Sequence, residues 1–412
     1  CPPSIFVSYK ETIMTKQFNS IVLAFSLVLT LLLGTVASAQ GSTSEETTET
    51  ATEAQVVYYL ADGDNGVDQV FRQVLDGQNN RQQLTNSDSD IVAFGVSADG
   101  LSVAYIGNGR LQLQQVDDEA DASEVLAEIN NQRSRVTPVF SPDGQVLAYG
   151  DQGVWLMDLA TREAEQIIEN IPFDDVNLNT EQARYYTPDR FVMDEAGALK
   201  LLVNIGIWEF SAAGVYDISS GTLQEIEPYV HSQLLPLSDG RVLIYGNNFI
   251  GGDATLEIAT SLNNLDDPEV VLDLITLPDY AETYGALAVY EAVEMEAGTL
   301  RFFAYPLQVY PPPVNGLGAY YFEYDLESGS ASEVQQVRLG DEEYNSDSNV
   351  GIVSPDGMSI AMYSDYVVNE TGTEAGSMQV YDLTTSEPTD DVFLDRVSEF
   401  QWQPLMPAAL QQ

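Results

Sequence analysis

Apolar residues in this chain fall in short runs, and a turn introduces each run. Val103-Ala104-Tyr105, Leu147-Ala148-Tyr149, Leu201-Leu202-Val203, Leu243-Ile244-Tyr245, Phe302-Phe303-Ala304 and Ile360-Ala361-Met362 are the clearest. Their β-branched, aromatic and aliphatic side chains suit strands that are mostly buried. Before them stand Ser97-Ala98-Asp99-Gly100, Ser141-Pro142-Asp143-Gly144, Asp194-Glu195-Ala196-Gly197, Leu237-Ser238-Asp239-Gly240, Met295-Glu296-Ala297-Gly298 and Ser354-Pro355-Asp356-Gly357. Ser-Pro-Asp-Gly suits a type I turn: Pro presets φ at the second position, and Gly takes the left-handed conformation that closes a bulged hairpin. Around Gly144 the pattern reads as strand, turn, strand, short loop and a third strand, Gly153–Leu159.

The turn glycines stand at intervals of 44, 53, 43, 58 and 59 residues. A period of about 40–50 residues with four short strands is the signature of a β-propeller blade. Outer hairpins beginning near Gln69, Leu111, Val154, Val215, Thr255, Ala319 and Met378 give a count of seven. The extra unit is Val56–Thr85, whose three strands have no innermost strand before them. At the other end, Val397–Pro404 is a lone strand like those that lead into the turns. Pairing the two ends in one sheet closes the ring and removes its open edges. The expected fold is therefore all-β, a single seven-bladed propeller of four-stranded blades over residues 55–404. Six blades is the alternative, if Asp194–Gly197 or Met295–Gly298 is an insertion.

Phe140-Ser-Pro-Asp-Gly-Gln-Val-Leu-Ala-Tyr with Val154-Trp-Leu-Met-Asp-Leu-Ala-Thr, and Val353-Ser-Pro-Asp-Gly-Met-Ser-Ile-Ala-Met-Tyr with Val380-Tyr-Asp-Leu-Thr-Thr, resemble the TolB-type, WD-like propeller repeat. The resemblance runs from Val56 to Pro404, strongest at blades 2, 3 and 7. TolB pairs a six-bladed ring with an N-terminal α/β domain and serves a periplasmic envelope complex. Here a short tether stands where that domain would be, so the resemblance implies the fold and not TolB's role. The same repeat accompanies hydrolase domains in prolyl-oligopeptidase-like enzymes, and no room for one is left here. Propellers host many functions, so the repeat says little about activity.

The N-terminal region adds a destination. Residues 1–13 read as upstream translated sequence. Residues 14–39 read as a secretory signal: Lys16 gives the positive end, Ile21–Leu33 the apolar run, and Ala37-Ser38-Ala39 the cleavage site. The run is short for a membrane span, so removal is expected and no stable span remains. Residues 40–54 form an acidic Ser/Thr/Glu tether with no large apolar side chain. The expected location is periplasmic, cell-surface or extracellular. Cys1 is the sole cysteine and precedes the signal, so an exported chain has no disulfide.

Charge narrows the partners. The chain has 64 acidic and 15 basic residues, a net charge of −49. Only Lys10 and Lys16 precede the cleavage site, which leaves 13 basic residues beyond it, with Lys200 the one lysine. Such a surface repels nucleic acid and anionic lipid. Solubility, in salty surroundings for example, accounts for it more simply than a cationic partner does.

Most catalytic chemistries lack their residues. His231 is the only histidine and no Gly-x-Ser-x-Gly is present, which leaves no nucleophile triad and no zinc or copper ligand set. Asp62, Asp64 and Asp68, in Asp62-Gly63-Asp64-Asn65-Gly66-Val67-Asp68, resemble a calcium loop, but the glycine comes one place early and no Glu closes the span. Asn86–Asp90 and Asn345–Asn349 are a similar pair of polar segments, each ahead of an inner strand. Turn chemistry, with Asx side chains bonding nearby amides, explains all three at least as well. Calcium is thus the one cofactor considered; otherwise none is expected.

In a four-stranded blade the inner and outer turns share one face of the ring. The longer segments Ile171–Tyr186, Gly206–Ala213, Thr276–Gly285, Pro306–Gly318 and Ser364–Gly376 all fall on the other. Arg184, Tyr185, Tyr186, Trp208, Phe210, Tyr284 and Tyr310 there are the candidate ligand-binding residues, since aromatics with a few arginines suit protein or sugar recognition. Arg184 would attract a carboxylate-bearing ligand. The same rings could instead cap the blades and pack on one another. The sequence reading is an exported, monomeric, non-catalytic binding or scaffold propeller with a protein or carbohydrate partner. The alternative is a carbohydrate-active enzyme, a glycosidase or lyase using paired Asp/Glu on the loop-rich face.

Overall fold

The computed structural model of the protein describes residues 55–75, 80–116, 123–130, 136–173, 183–207, 210–226, 232–246, 254–277, 287–296, 298–306, 319–331, 335–337, 351–368, 374–385 and 387–404. Their strands form seven antiparallel sheets, each one blade. From the axis outwards, blade 2 is Ile91–Val96, Ser102–Gly107, Arg110–Gln115 and Glu124–Glu128. Blade 3 is Val139–Phe140, Val146–Gly150, Gly153–Asp158 and Ala164–Glu169. Blade 4 is Tyr185–Met193, Leu199–Ile207, Phe210–Asp217 and Thr222–Glu225. Blade 5 is Ser232–Pro236, Val242–Gly246, Thr255–Ala259 and Glu269–Asp273. Blade 6 is Leu287–Glu296, Thr299–Pro306 and Ala319–Asp325, with an outer edge in two pieces, Ser330–Ala331 and Gln335–Val337. Blade 7 is Ile352–Val353, Ser359–Val368, Glu374–Asp382 and Glu387–Val397.

Blade 1 is built from both ends of the ring. Glu399–Trp402 lies antiparallel to Gln55–Asp62, with Trp402 opposite Val57 and Glu399 opposite Leu60. Asp68–Leu75 and Asn80–Gln83 complete the sheet. The closing strand is shorter than Val397–Pro404, because Val397 belongs to the outer strand of blade 7. Trp402 ties the seam to blade 7 through Nε1, which donates to the Ile352 carbonyl at 2.8 Å.

The repeated turns explain the repeated strands. In blades 2, 3 and 7 the Ser97, Ser141 and Ser354 hydroxyls donate to Asp99, Asp143 and Asp356, and accept the N–H groups of Ser102, Val146 and Ser359 at 2.9 Å. Each Asp Oδ1 also accepts the N–H just after the glycine, at 3.0 Å. The two side chains thereby satisfy the backbone groups of a tight turn. All six turn glycines have positive φ, including Gly197 (76°) and Gly298 (85°) of the two divergent copies. Both copies close true inner hairpins, in blades 4 and 6, so the six-blade alternative is excluded.

The core is seven hydrophobic clusters, one between each pair of neighbouring blades. Alternation along the strands supplies them. In blade 2, Val103 and Tyr105 face blade 1 while Ala104 and Ile106 face blade 3. This two-sided burial is why the strands read as continuous apolar runs. The seam cluster joins Val57, Tyr59, Phe400 and Trp402 to Met378, Val380 and Leu394 of blade 7.

Two of the five expected loop insertions are strand extensions. In the first, Gly206–Ala213, the blade 4 hairpin runs on to Ile207 opposite Phe210; in the second, Ser364–Gly376, that of blade 7 runs on to Val368 opposite Glu374. Antiparallel pairing satisfies the backbone groups that an open loop would leave to water.

Lys200 carries the most enclosed charge of the described residues. It is 2% exposed, with Nζ 2.5 Å from Asp217 Oδ2 and 3.4 Å from Asp194 Oδ2, and so joins the inner and outer turns of blade 4. Burial alone would lower its pKa, but its bonds to Asp217 and Asp194 outweigh that and raise it. The Lys200 bond, followed by that from the Ser219 hydroxyl, holds the Asp217 carboxyl far below the usual range.

Truncation after Ser398 should yield an insoluble or molten product, because it removes the closing strand and uncovers one interface. Melting as cooperative as that of the full chain would contradict the closure. Lys200→Met should cost about 3–5 kcal/mol, since it leaves two carboxylates facing each other. Asp217's folded pKa lies below its unfolded value, so its contribution is complete above the ordinary carboxylate range and is lost as pH falls through the folded value. Acid unfolding of Lys200→Met should therefore begin at higher pH than in the parent chain, as circular dichroism against pH would show.

Candidate functional site

On the face opposite the Ser-x-Asp-Gly turns, a cleft of about 540 Å³ opens between blades 3 and 4. Its floor and walls are the Gly150–Gly153 loop, Glu169 and Asn170 at the end of blade 3's outer strand, and Tyr185–Thr187 at the start of blade 4. The loop needs its glycine: Gly153 has φ 138°, and a Cβ there would lie 2.1 Å from the Ile168 carbonyl. Asn130 holds Asp151 in place, its N–H 3.2 Å from Oδ1 and its Nδ2 3.4 Å from Oδ2. Trp155 Nε1 donates to the Asp151 carbonyl at 2.9 Å and stacks on Tyr149. Burial, reinforced by the Asp151 charge, pushes the Tyr149 phenol up to about 12.

Of the candidate ligand-binding residues, Tyr185 and Tyr186 line this cleft and Arg184 directly precedes them; alternation separates the three. Tyr186 is buried and donates its hydroxyl to Glu225 Oε1 at 2.7 Å, while its N–H donates to Asn170 Oδ1 at 2.8 Å. Burial, then the bond to Glu225, holds its phenol far above the ordinary value. Arg184 lies with Nε 3.7 Å from Glu225 Oε2 and donates from Nη1 to the Ala183 carbonyl. Both side chains are engaged in binding the start of blade 4 to its outer strand. Tyr185, between them, is 46% exposed and lines the cleft. Glu225 already partners Arg184, and among the described residues the charged groups that line the cleft are Asp151 and Glu169, both acidic. Trp208, Tyr284, Tyr310 and His231 lie outside the described residues, as does the side chain of Phe210, whose backbone pairs with Ile207.

Asp62, Asp64 and Asp68 sit around a hairpin loop in blade 1. Asp62 and Asp68 face each other at the strand ends, and Gly63 N–H donates to the Val67 carbonyl. Asn65 donates to the Ser87 carbonyl and accepts the Val67 N–H. Gln69, fully buried, accepts from Thr85 and Ser87 and orders the Asn86–Asp90 segment. Among the described residues no group of three or more His, Cys, Asp or Glu side chains is placed to hold a metal ion. Asn345–Asn349 lies outside the described residues.

A second polar constellation, on the inner wall of the ring, has no counterpart in the sequence reading. The innermost strands of blades 4 and 6 each carry a bulge, between Pro188 and Arg190 and between Val289 and Glu291. An extra residue re-aims the side chains that follow it. Arg190 donates from Nη2 to the Leu234 carbonyl at 2.8 Å, and its Nε lies 3.4 Å from Asp189 Oδ2. Tyr245 of blade 5 donates to Glu291 Oε1 at 3.3 Å. Three blades are thus linked by charged and polar groups. Burial pushes the Glu291 carboxyl up, against the opposing pull of Arg190. The sequence signal was an adjacent charged pair, Asp189-Arg190, inside an otherwise apolar strand.

No family model matches the sequence, and no curated protein matches it either. The fold is nonetheless that of a β-propeller, and solved structures share it. TolB from Acinetobacter baumannii is 13% identical with a TM-score of 0.43, over 85% of this chain and 67% of that one. An oligogalacturonate lyase from Vibrio parahaemolyticus is 14% identical with a TM-score of 0.49, over 84% and 87%. The β-propeller domain of the Trilobed protease from Pyrococcus furiosus is 14% identical with a TM-score of 0.46, over 82% and 94%. TolB and other propellers are thus among the structures this chain is similar to. The count of blades rests on its own seven sheets.

Glu291→Gln keeps an acceptor for Tyr245 and removes a charge that burial disfavours. The folded pKa of Glu291 lies above its unfolded value, so the parent chain loses stability as pH rises from about 4.5 through the folded value. The variant should be the more stable of the two at pH 8 and show a flatter stability profile in that window. A loss of stability at pH 8 would mean that the Arg190 pairing outweighs desolvation.

Proposed function

We propose that the protein is an exported, non-catalytic binding propeller that captures its ligand on the loop-rich face, in the cleft between blades 3 and 4. The observation that carries this reading is the cleft itself: about 540 Å³, walled by strand ends and open at an exposed Tyr185 ring. A concave site with one aromatic surface and a few fixed polar groups is the usual form of a recognition site. Its Asp151 carboxylate is occupied by Asn130, and the phenols of Tyr149 and Tyr186 hold their protons tightly, which suits binding better than proton transfer. Export rests on the residue 14–39 pattern. No helix among the described residues is long and apolar enough to cross a membrane.

Photo-crosslinking tests the site. A benzophenone side chain at position 185, in the full chain expressed in its native cell, should give a discrete adduct. The same group at position 163, on the opposite face, should not. Identical patterns at the two positions would remove the cleft from consideration. A captured molecule that is released chemically altered would favour an enzyme acting on carbohydrate.

A further inference from the structure

We propose that the cleft between blades 3 and 4 takes the basic side chain, arginine or lysine, of a protein partner; this rests on the cleft being the binding site. Charge complementarity carries the inference. Two carboxylate residues, Asp151 and Glu169, line the cleft, and among the described residues no lysine or arginine does. Asp151 is oriented by Asn130, whereas the Glu169 side chain is exposed and makes no hydrogen bond or ion pair with the described residues. Arg184, which precedes Tyr185 in the chain, is drawn onto Glu225. The cleft therefore holds negative charge that no described lysine or arginine neutralises.

Tyr185 supplies the second element. An exposed tyrosine ring on the wall of an acidic cleft offers a π face for a guanidinium or ammonium group. Gln152 and Asn170 add amide groups that can accept from the flanking peptide backbone. Arginine fits best, because its planar group can stack on the ring and still donate to a carboxylate. A neutral sugar would use the ring and the amides but gain nothing from the two charges. A net charge of −49 makes the whole chain attractive to cations, so the claim concerns this one place and its test must separate site from surface.

The probes are the peptide acetyl-Gly-Ser-Arg-Ser-Gly-amide, its citrulline counterpart and maltohexaose, each titrated calorimetrically into the full chain at 150 mM salt. The arginine peptide should bind at least about tenfold more tightly than the citrulline peptide, because citrulline keeps the shape and loses the charge. Glu169→Gln and Tyr185→Ala should each weaken the arginine peptide about three- to tenfold. Glu163→Gln, which removes the same charge from the turn face, should leave it unchanged. Unaltered melting temperatures would show that the variants fold. Equal affinity for the arginine and citrulline peptides, no binding of either, or an equal effect of Glu163→Gln and Glu169→Gln each overturns the proposal. Maltohexaose binding that is lost in Tyr185→Ala, without arginine-peptide binding, would keep the cleft as a binding site and replace the basic ligand by a sugar.

Discussion

The pairing of Glu399–Trp402 with Val57–Leu60 is the interaction on which the rest of the ring depends. Each blade buries both of its faces, so a blade with one neighbour missing exposes a core. With the seam closed, every described sheet has a partner on either side, as the seven clusters show. With Cys1 the sole cysteine of the sequence, no disulfide within it can substitute for that seam. Side chains of both termini share the work: Phe400 and Trp402 meet edge to face at 5.3 Å, and Tyr59 stacks on Phe71 at 5.8 Å in the same cluster.

The acidity has a structural component as well as a surface one. Inner turns use Asp99, Asp143 and Asp356, and outer turns use Asp158, Asp217, Asp325 and Asp382, whose carboxylates accept backbone or hydroxyl hydrogens. Asp158 and Asp325 are held below the usual carboxylate range chiefly by the N–H groups of Thr161 and Ser328. A fold with two such turns per blade accumulates aspartates whatever its partners are. Few bases offset them, and the most enclosed one, Lys200, is spent inside blade 4. At Glu169, which lines the cleft, the side chain has no partner among the described residues.

Blade number, turn positions and ring closure were legible in the sequence, because each follows from local chemistry repeated at a fixed interval. Ser-x-Asp-Gly specifies its turn with four residues, and apolar runs specify doubly buried strands. The candidate site was legible only in part. Tyr185 and Tyr186 are adjacent and chemically alike, yet strand alternation sends one to the cleft and the other to Glu225. Asp151 and Glu169 look like ordinary loop and strand-end acids until the fold brings them to one cavity. The Arg190–Glu291–Tyr245 constellation depends on two bulges, and a bulge changes which way a side chain points without changing composition.

Amide hydrogen exchange on the full chain, with and without the arginine peptide, tests the central claim most directly. The cleft should report binding as slowed exchange confined to the loop-rich face, at residues 150–153 and 185–187, with residues 97–102 and 158–163 on the turn face unaffected. Slowed exchange at the turn face, or spread evenly around the ring, would contradict a cleft that recognises a basic side chain.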